Sequence, residues 1–99
     1  STNEKNGYID LRFPIVKAFE HFLSRHWDSK REMASANGRI IIEKSVSVIA
    51  DNGEKIATFN EGTEEYHALE PLVGGQVALL GRMIKSRGKV LAKLYLRKK

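Results

Sequence analysis

The segment Asp51-Asn52-Gly53-Glu54 is the strongest local constraint in the chain. It separates two runs of alternating apolar and polar residues. An Asn-Gly pair supplies the two positive-φ residues that a two-residue type I′ hairpin needs, so the two runs are predicted to pair as antiparallel strands. With Asn52 and Gly53 as the loop, Val48 opposes Ala57, Val46 opposes Phe59, Ser47 opposes Thr58 and Ile49 opposes Ile56. The core face of this hairpin is then Val46, Val48, Ala57 and Phe59.

Periodicity assigns the remaining elements. Tyr8 to Phe13 alternates, with Ile9, Leu11 and Phe13 against Tyr8, Asp10 and Arg12, as in a strand with one buried face. Pro14 suits the first turn of a helix, and Val16, Phe19, Phe22, Leu23, His26 and Trp27 follow at the helical period. The pattern predicts that this helix fades near Ala36, with Asn37-Gly38 as its stop. Alternation from Arg39 to Ala50 gives the first strand of the hairpin, with Lys44 marking a bulge or a split. Thr63 is placed to cap a second helix entered through Glu64 and Glu65, with a stripe of Leu69, Leu72, Val73, Val77, Leu80 and Ile84. Pro71 and Gly74-Gly75 are poor interior residues, so Pro71 is an alternative start. Ser86-Arg87-Gly88 ends this helix, and Val90, Ala92, Leu94 and Leu96 mark a last strand.

These elements predict an α+β fold in the order β-α-β-β-α-β: a ferredoxin-like, two-layer sandwich of a four-stranded antiparallel sheet with two helices on one face. Residues 1–7 are read as a disordered or extended lead and 8–99 as one α+β domain with a basic C-terminal end. Right-handed crossovers put both helices on the same side and leave the other face open. The side chains left on that face are Tyr8, Asp10, Arg12, Arg39, Ile41, Glu43, Ser47, Ile49, Ile56, Thr58, Leu91, Lys93, Tyr95 and Arg97. The topology resembles that of the RNA-recognition motif, and Tyr8 lies on the first strand, where that family carries an aromatic. The run Glu54 to Phe59 has neither the glycine nor the outward aromatic of that family's third strand, so the resemblance is one of topology.

Charge points to the same face. The 99 residues carry a net charge of +5. Arg82, Lys85, Arg87, Lys89, Lys93, Arg97, Lys98 and Lys99 all fall after position 81, with no carboxylate among them. A polycation at one end of a mildly acidic body fits a polyanionic partner. Aromatic rings among cations supply stacking platforms for unpaired bases while the cations neutralise phosphates. The reading is therefore a nucleic-acid-binding domain, RNA or DNA, with single strands favoured. Its contact set is Tyr8, Arg12, Arg39, Arg82, Lys85, Arg87, Lys89, Lys93, Tyr95, Arg97, Lys98 and Lys99.

The rival reading is a homodimer or protein-interaction module of a larger assembly. It would associate through Ile41, Ile49, Ile56, Leu91 and Tyr95 on the sheet face, with Gly74, Gly75 and Gly81 allowing close helix approach. A weaker phosphate signal places Gly74-Gly75 beside Arg82, Lys85 and Arg87 as an anion site.

Nothing in the sequence supports catalysis. The chain has no cysteine, which excludes disulfides, thiol chemistry and Cys-ligated metal, and fits a reducing, intracellular setting, cytoplasmic or nuclear. His21 and His26 are five apart on a predicted helix and do not share a metal. His67 lies near Glu64, Glu65 and Glu70, but no nucleophile or oxyanion donor accompanies it. No cofactor, metal or small-molecule substrate is indicated. No apolar run reaches the roughly 18 residues needed to cross a bilayer, and no signal peptide is evident, so no membrane partner is expected.

Overall fold

The computed structural model describes residues 2–5 and 7–99. Eight strands form one antiparallel sheet: β1 (Thr2–Lys5), β2 (Tyr8–Pro14), β3 (Trp27–Asp28), β4 (Met33–Ile42), β5 (Ser45–Ala50), β6 (Lys55–Asn60), β7 (Gln76–Ser86) and β8 (Lys89–Lys98). The path across the sheet is β1-β2-β8-β7-β4-β5-β6, with β3 paired to β4. Helix α1 (Lys17–His26), helix α2 (Glu64–Leu69) and a one-turn 3-10 helix (Glu70–Leu72) complete the chain. This is a curled half-barrel sheet, not the four-stranded ferredoxin-like sandwich predicted from the sequence, and the topological resemblance to the RNA-recognition motif goes with it.

The curl is visible in the core. Phe13 of β2 and Phe59 of β6, on strands far apart in the sheet order, meet edge to face at 5.5 Å between ring centroids. Phe19 of α1 lies edge to face on Phe13 at 5.3 Å. Together with Phe22 and Leu23 it carries the helix into the concavity, against β4 and β6. Leu11, Leu94, Leu96, Val77, Leu79, Ile40, Val46 and Val48 line the same concave face and are essentially inaccessible to solvent. Burying one such leucine is worth about 1.5 to 3 kcal/mol, so the inward parity of these strands dominates the choice of fold.

The two helices are shorter than predicted for physical reasons. Pro14 ends β2, opposite Leu91, and does not open the helix. After His26 the chain turns extended, and the Asp28 carboxylate accepts N–H bonds from Lys30 at 3.0 Å and Arg31 at 3.4 Å, forming a local turn in place of another helical one. Asn37-Gly38 is not a helix stop but lies within β4. A Cβ on Gly38 would stand 2.4 Å from the Ile49 carbonyl oxygen and 2.7 Å from Leu79 Cδ1, so only glycine allows this approach of β4 and β5.

Thr63 does cap α2, its hydroxyl accepting from the Tyr66 N–H at 3.2 Å. The rest of the predicted second helix, Gln76 onward, is strand β7. Arg87 (φ 50°) and Gly88 (φ 78°) form the two-residue type I′ turn between β7 and β8.

The Asn-Gly hairpin forms with a different turn. Gly53 N–H donates to the Ala50 carbonyl at 2.8 Å, Ala50 N–H to the Glu54 carbonyl at 2.9 Å, and of the three loop residues only Gly53 has positive φ. Asp51-Asn52-Gly53 is thus a three-residue loop, which by itself shifts the register by one. A bulge restores it: Ile49 opposes Lys55, Val48 opposes Ala57, and Ile56 is the extra residue between them. Val46–Phe59, Ser47–Thr58 and Val48–Ala57 therefore pair as predicted, while Ile49–Ile56 does not. The bulge turns Ile56 inward, where it is fully buried.

Candidate functional site

Strand β8 runs between β2 and β7, so the convex faces of three strands are brought side by side. The registers arrange their outward side chains in rows. Arg12 opposes Lys93, and Lys93 opposes Arg82. In the next row Asp10 opposes Tyr95, and Tyr95 opposes Leu80. One row further, Arg97 opposes Ala78, with its guanidinium over the Tyr8 ring at 5.5 Å. On the other side of the cations Leu91 opposes Ile84, and Lys89 opposes Ser86 toward the hairpin tip.

The centre of this face is a row of three cations on neighbouring strands, which lie about 4.8 Å apart. Like charges directly opposite one another are destabilising. Asp10 offsets part of that cost: its Oδ2 lies 3.5 Å from Lys93 Nζ, and both side chains are largely buried, at 13% and 12% exposure. Among the outward side chains described on β2, β8, β7 and β4, Asp10 is the one carboxylate. Two polar atoms here are buried and unpartnered among the described residues, Asp10 Oδ1 and Arg82 Nε.

The tyrosines adjoin the cations. Tyr8 and Tyr95 meet edge to face with centroids 6.4 Å apart, and Lys93 Nζ stands 5.2 Å from the Tyr95 ring centroid. A cation over an aromatic face is favourable by about 0.5 to 1 kcal/mol at exposed sites, which orders both side chains.

The structure thus gathers Tyr8, Arg12, Arg82, Lys93, Tyr95 and Arg97 into one patch, with Lys89 beyond it. Arg39 lies at the opposite end of the face, opposite Gln76, whose carbonyl accepts the Lys99 N–H at 3.0 Å. Lys85 and Lys98 alternate to the other side of the sheet, opposite Val90 and Val77, and Arg87 occupies the turn. The helical anion site imagined for Gly74-Gly75 with Arg82, Lys85 and Arg87 is not formed, because those three cations lie on a hairpin. Gly74 and Gly75 precede β7 as a turn. Gly81 makes room within the chain: a Cβ there would stand 2.8 Å from Phe22 Cε2.

Leu80 and Ile84, which floor the patch, were missed as face residues. The signal was present, since Ala78, Leu80, Arg82 and Ile84 alternate with Val77, Leu79, Gly81 and Met83.

Other candidates stay apart from this patch. His67 Nδ1 lies 2.9 Å from Glu70 Oε1 in an exposed pair on the α2 side, and His21 Nδ1 lies 3.7 Å from Glu54 Oε2. Nearby, desolvation first and then the charges of Glu61 and Glu70 hold the Tyr66 hydroxyl above the usual phenol range. No group of three His, Cys, Asp or Glu side chains placed to hold a metal occurs among the described residues. An open groove beside α1 is lined by Glu20, Leu23, Ser24, Trp27 and Met83. Among the described residues no helix is long and apolar enough to cross a membrane.

Comparison of this chain with protein-family models, with curated proteins and with solved structures gave no match.

Proposed function

We propose that this protein binds nucleic acid, single strands in preference to duplex, on the convex face of β2, β8 and β7. The observation that carries this reading is the cross-strand row Arg12–Lys93–Arg82, which one carboxylate only partly neutralises. A chain folding for stability alone gains nothing from three cations in register. A polyanion laid across them releases its counterions and removes their repulsion at once. Tyr8 and Tyr95, partly buried beside the row, supply ring surface for unpaired bases, worth about 1 to 3 kcal/mol per base.

The self-association reading has less to work with. Ile49 and Ile56, two of its five apolar residues, are buried within the chain, leaving Ile41, Leu91 and Tyr95.

The test is fluorescence anisotropy of labelled single-stranded RNA, single-stranded DNA and duplex DNA across a salt series, with light scattering on the same samples. Binding should weaken steeply with salt. Arg12→Gln with Arg97→Gln, both exposed positions, should lower the logarithmic salt slope for a single strand by about 1.4, at about 0.7 per phosphate contact. Absence of binding at low salt, together with a clean dimer mass, would overturn the proposal in favour of self-association.

A further inference from the structure

The β7–β8 hairpin reaches beyond the rest of the sheet. Strand β4 pairs with β7 only as far as Gly81, and β2 pairs with β8 only from Leu91 onward. The β7–β8 ladder itself continues to Ser86–Lys89. Residues 82–86 therefore extend past β4 by about 17 Å, at about 3.4 Å per strand residue. Past both neighbouring strands, from Lys85 to Val90, the arm carries Lys85, Arg87 and Lys89 and no carboxylate. Val90, in this free part, is about half exposed, at 50%. The type I′ turn at Arg87-Gly88 matches the natural twist of the strands, so the arm is held in a defined direction.

Its outward side chains continue the pattern of the patch. Along β8 the outward positions are Lys89, Leu91, Lys93, Tyr95 and Arg97, so cations alternate with an apolar or aromatic residue. Each step is about 6.8 Å and the whole track about 27 Å. A mononucleotide meets one step of such a track; a polymer meets all of them.

Resting on the nucleic-acid reading above, we infer that one single strand lies lengthwise along β8, with the tip of the β7–β8 arm as a second phosphate-contacting surface. Phosphates meet Arg97, the Lys93 row and Lys89, with Arg87 in the turn beside it. Bases meet Tyr95 with Tyr8, and Leu91 with Ile84. The track accommodates about 4 nucleotides or more, the low end of single-strand site sizes.

The experiment compares wild type with Arg87→Asn/Lys89→Gln, in which Asn-Gly preserves the turn chemistry, using oligothymidylates and oligouridylates of 4 and 12 nucleotides. For the 12-mer the variant should lose about 1.4 units of logarithmic salt slope, two contacts at about 0.7 each, and at least about tenfold in affinity at low salt. The 4-mer should be affected less. A charge-conserving variant, Arg87→Lys/Lys89→Arg, should bind like wild type, which separates charge from folding. If wild type binds the 12-mer and the neutral variant binds it equally well, the arm is not a contact and the face reading stands alone. If the neutral variant loses duplex binding but keeps single-strand binding, the arm enters a duplex groove and the lengthwise track is wrong. If wild type binds no oligonucleotide, the nucleic-acid reading falls and this inference with it.

Discussion

Replacing Asp10 by asparagine should move stability and affinity in opposite directions. At 3.5 Å the Asp10–Lys93 attraction is worth about 5 kcal/mol gross at an effective dielectric constant of about 20. Both side chains have already lost most of their water, so desolvation cancels part of that gain. Asp10→Asn leaves Lys93 between Arg12 and Arg82 with its counter-charge gone. A loss of about 2 to 3 kcal/mol is expected, or roughly 10 to 20 °C in Tm for a domain of this size. For the ligand the sign reverses. A phosphate held on the Arg12–Lys93–Arg82 row sits two strand residues from the carboxylate, about 7 Å away. Removing the carboxylate removes a repulsion of about 0.6 kcal/mol at a dielectric constant of 80 and about 2.4 kcal/mol at 20. Salt screening favours the lower figure, so affinity for a single-stranded oligonucleotide should rise about 3- to 10-fold. Anisotropy titrations measure the affinity, and thermal unfolding with and without oligonucleotide measures the linkage. The variant should gain more Tm from the same ligand concentration than wild type does. If folded Asp10→Asn binds more weakly, the carboxylate contacts the ligand and does not merely neutralise the row, and the electrostatic argument fails.

Three further expectations follow from particular contacts. Gly38→Ala should cost about 3 kcal/mol or more in urea unfolding, because its methyl would meet the Ile49 carbonyl and Leu79; a cost below about 1 kcal/mol would mean that β4 and β5 do not approach as described. Tyr8→Leu with Tyr95→Leu should erase the preference for single strands over duplex while leaving the salt slope in place, and the corresponding Phe variants should retain the preference; equal behaviour of the two pairs would remove the rings from the site. The Tyr66 hydroxyl is raised on folding, so its share of stability is fully present below the unfolded value near 10 and is lost as pH climbs through the folded one. Tyr66→Phe should therefore flatten the alkaline fall in the urea midpoint above pH 10, and an unchanged fall would refute that linkage.

The parts of this fold written as period-2 alternation with a single solution were legible. Tyr8 to Phe13 and Val90 to Leu96 have their predicted parity, so Tyr8, Asp10, Arg12, Lys93, Tyr95 and Arg97 were placed on one face from sequence. The Ser45–Asn60 hairpin kept its core pairs because two departures cancel: a three-residue loop shifts the register and the Ile56 bulge shifts it back. No sequence rule reports such a cancellation, since each event is a single residue of slack resolved by burying Ile56. The run Val77 to Ile84 was illegible for a different reason. Its apolar residues satisfy both the helical and the strand period, and the arbitration came from tertiary packing.

That arbitration also built the candidate site. As a helix, the run would have put Arg82 in the layer away from Lys93. As a strand it has only two parities, and a shift by one residue would turn every side chain over. Phe19 and Phe22 of α1 need the space above Gly81, where a Cβ would come within 2.8 Å of one ring and 3.1 Å of the other. That contact turns Gly81 inward, and Arg82 must then point outward, in register with Lys93 and Arg12. The packing of two phenylalanines on one face of the sheet thereby fixes a row of three cations on the other. The charge pattern of the convex surface is thus set from the core, through the parity of a single strand.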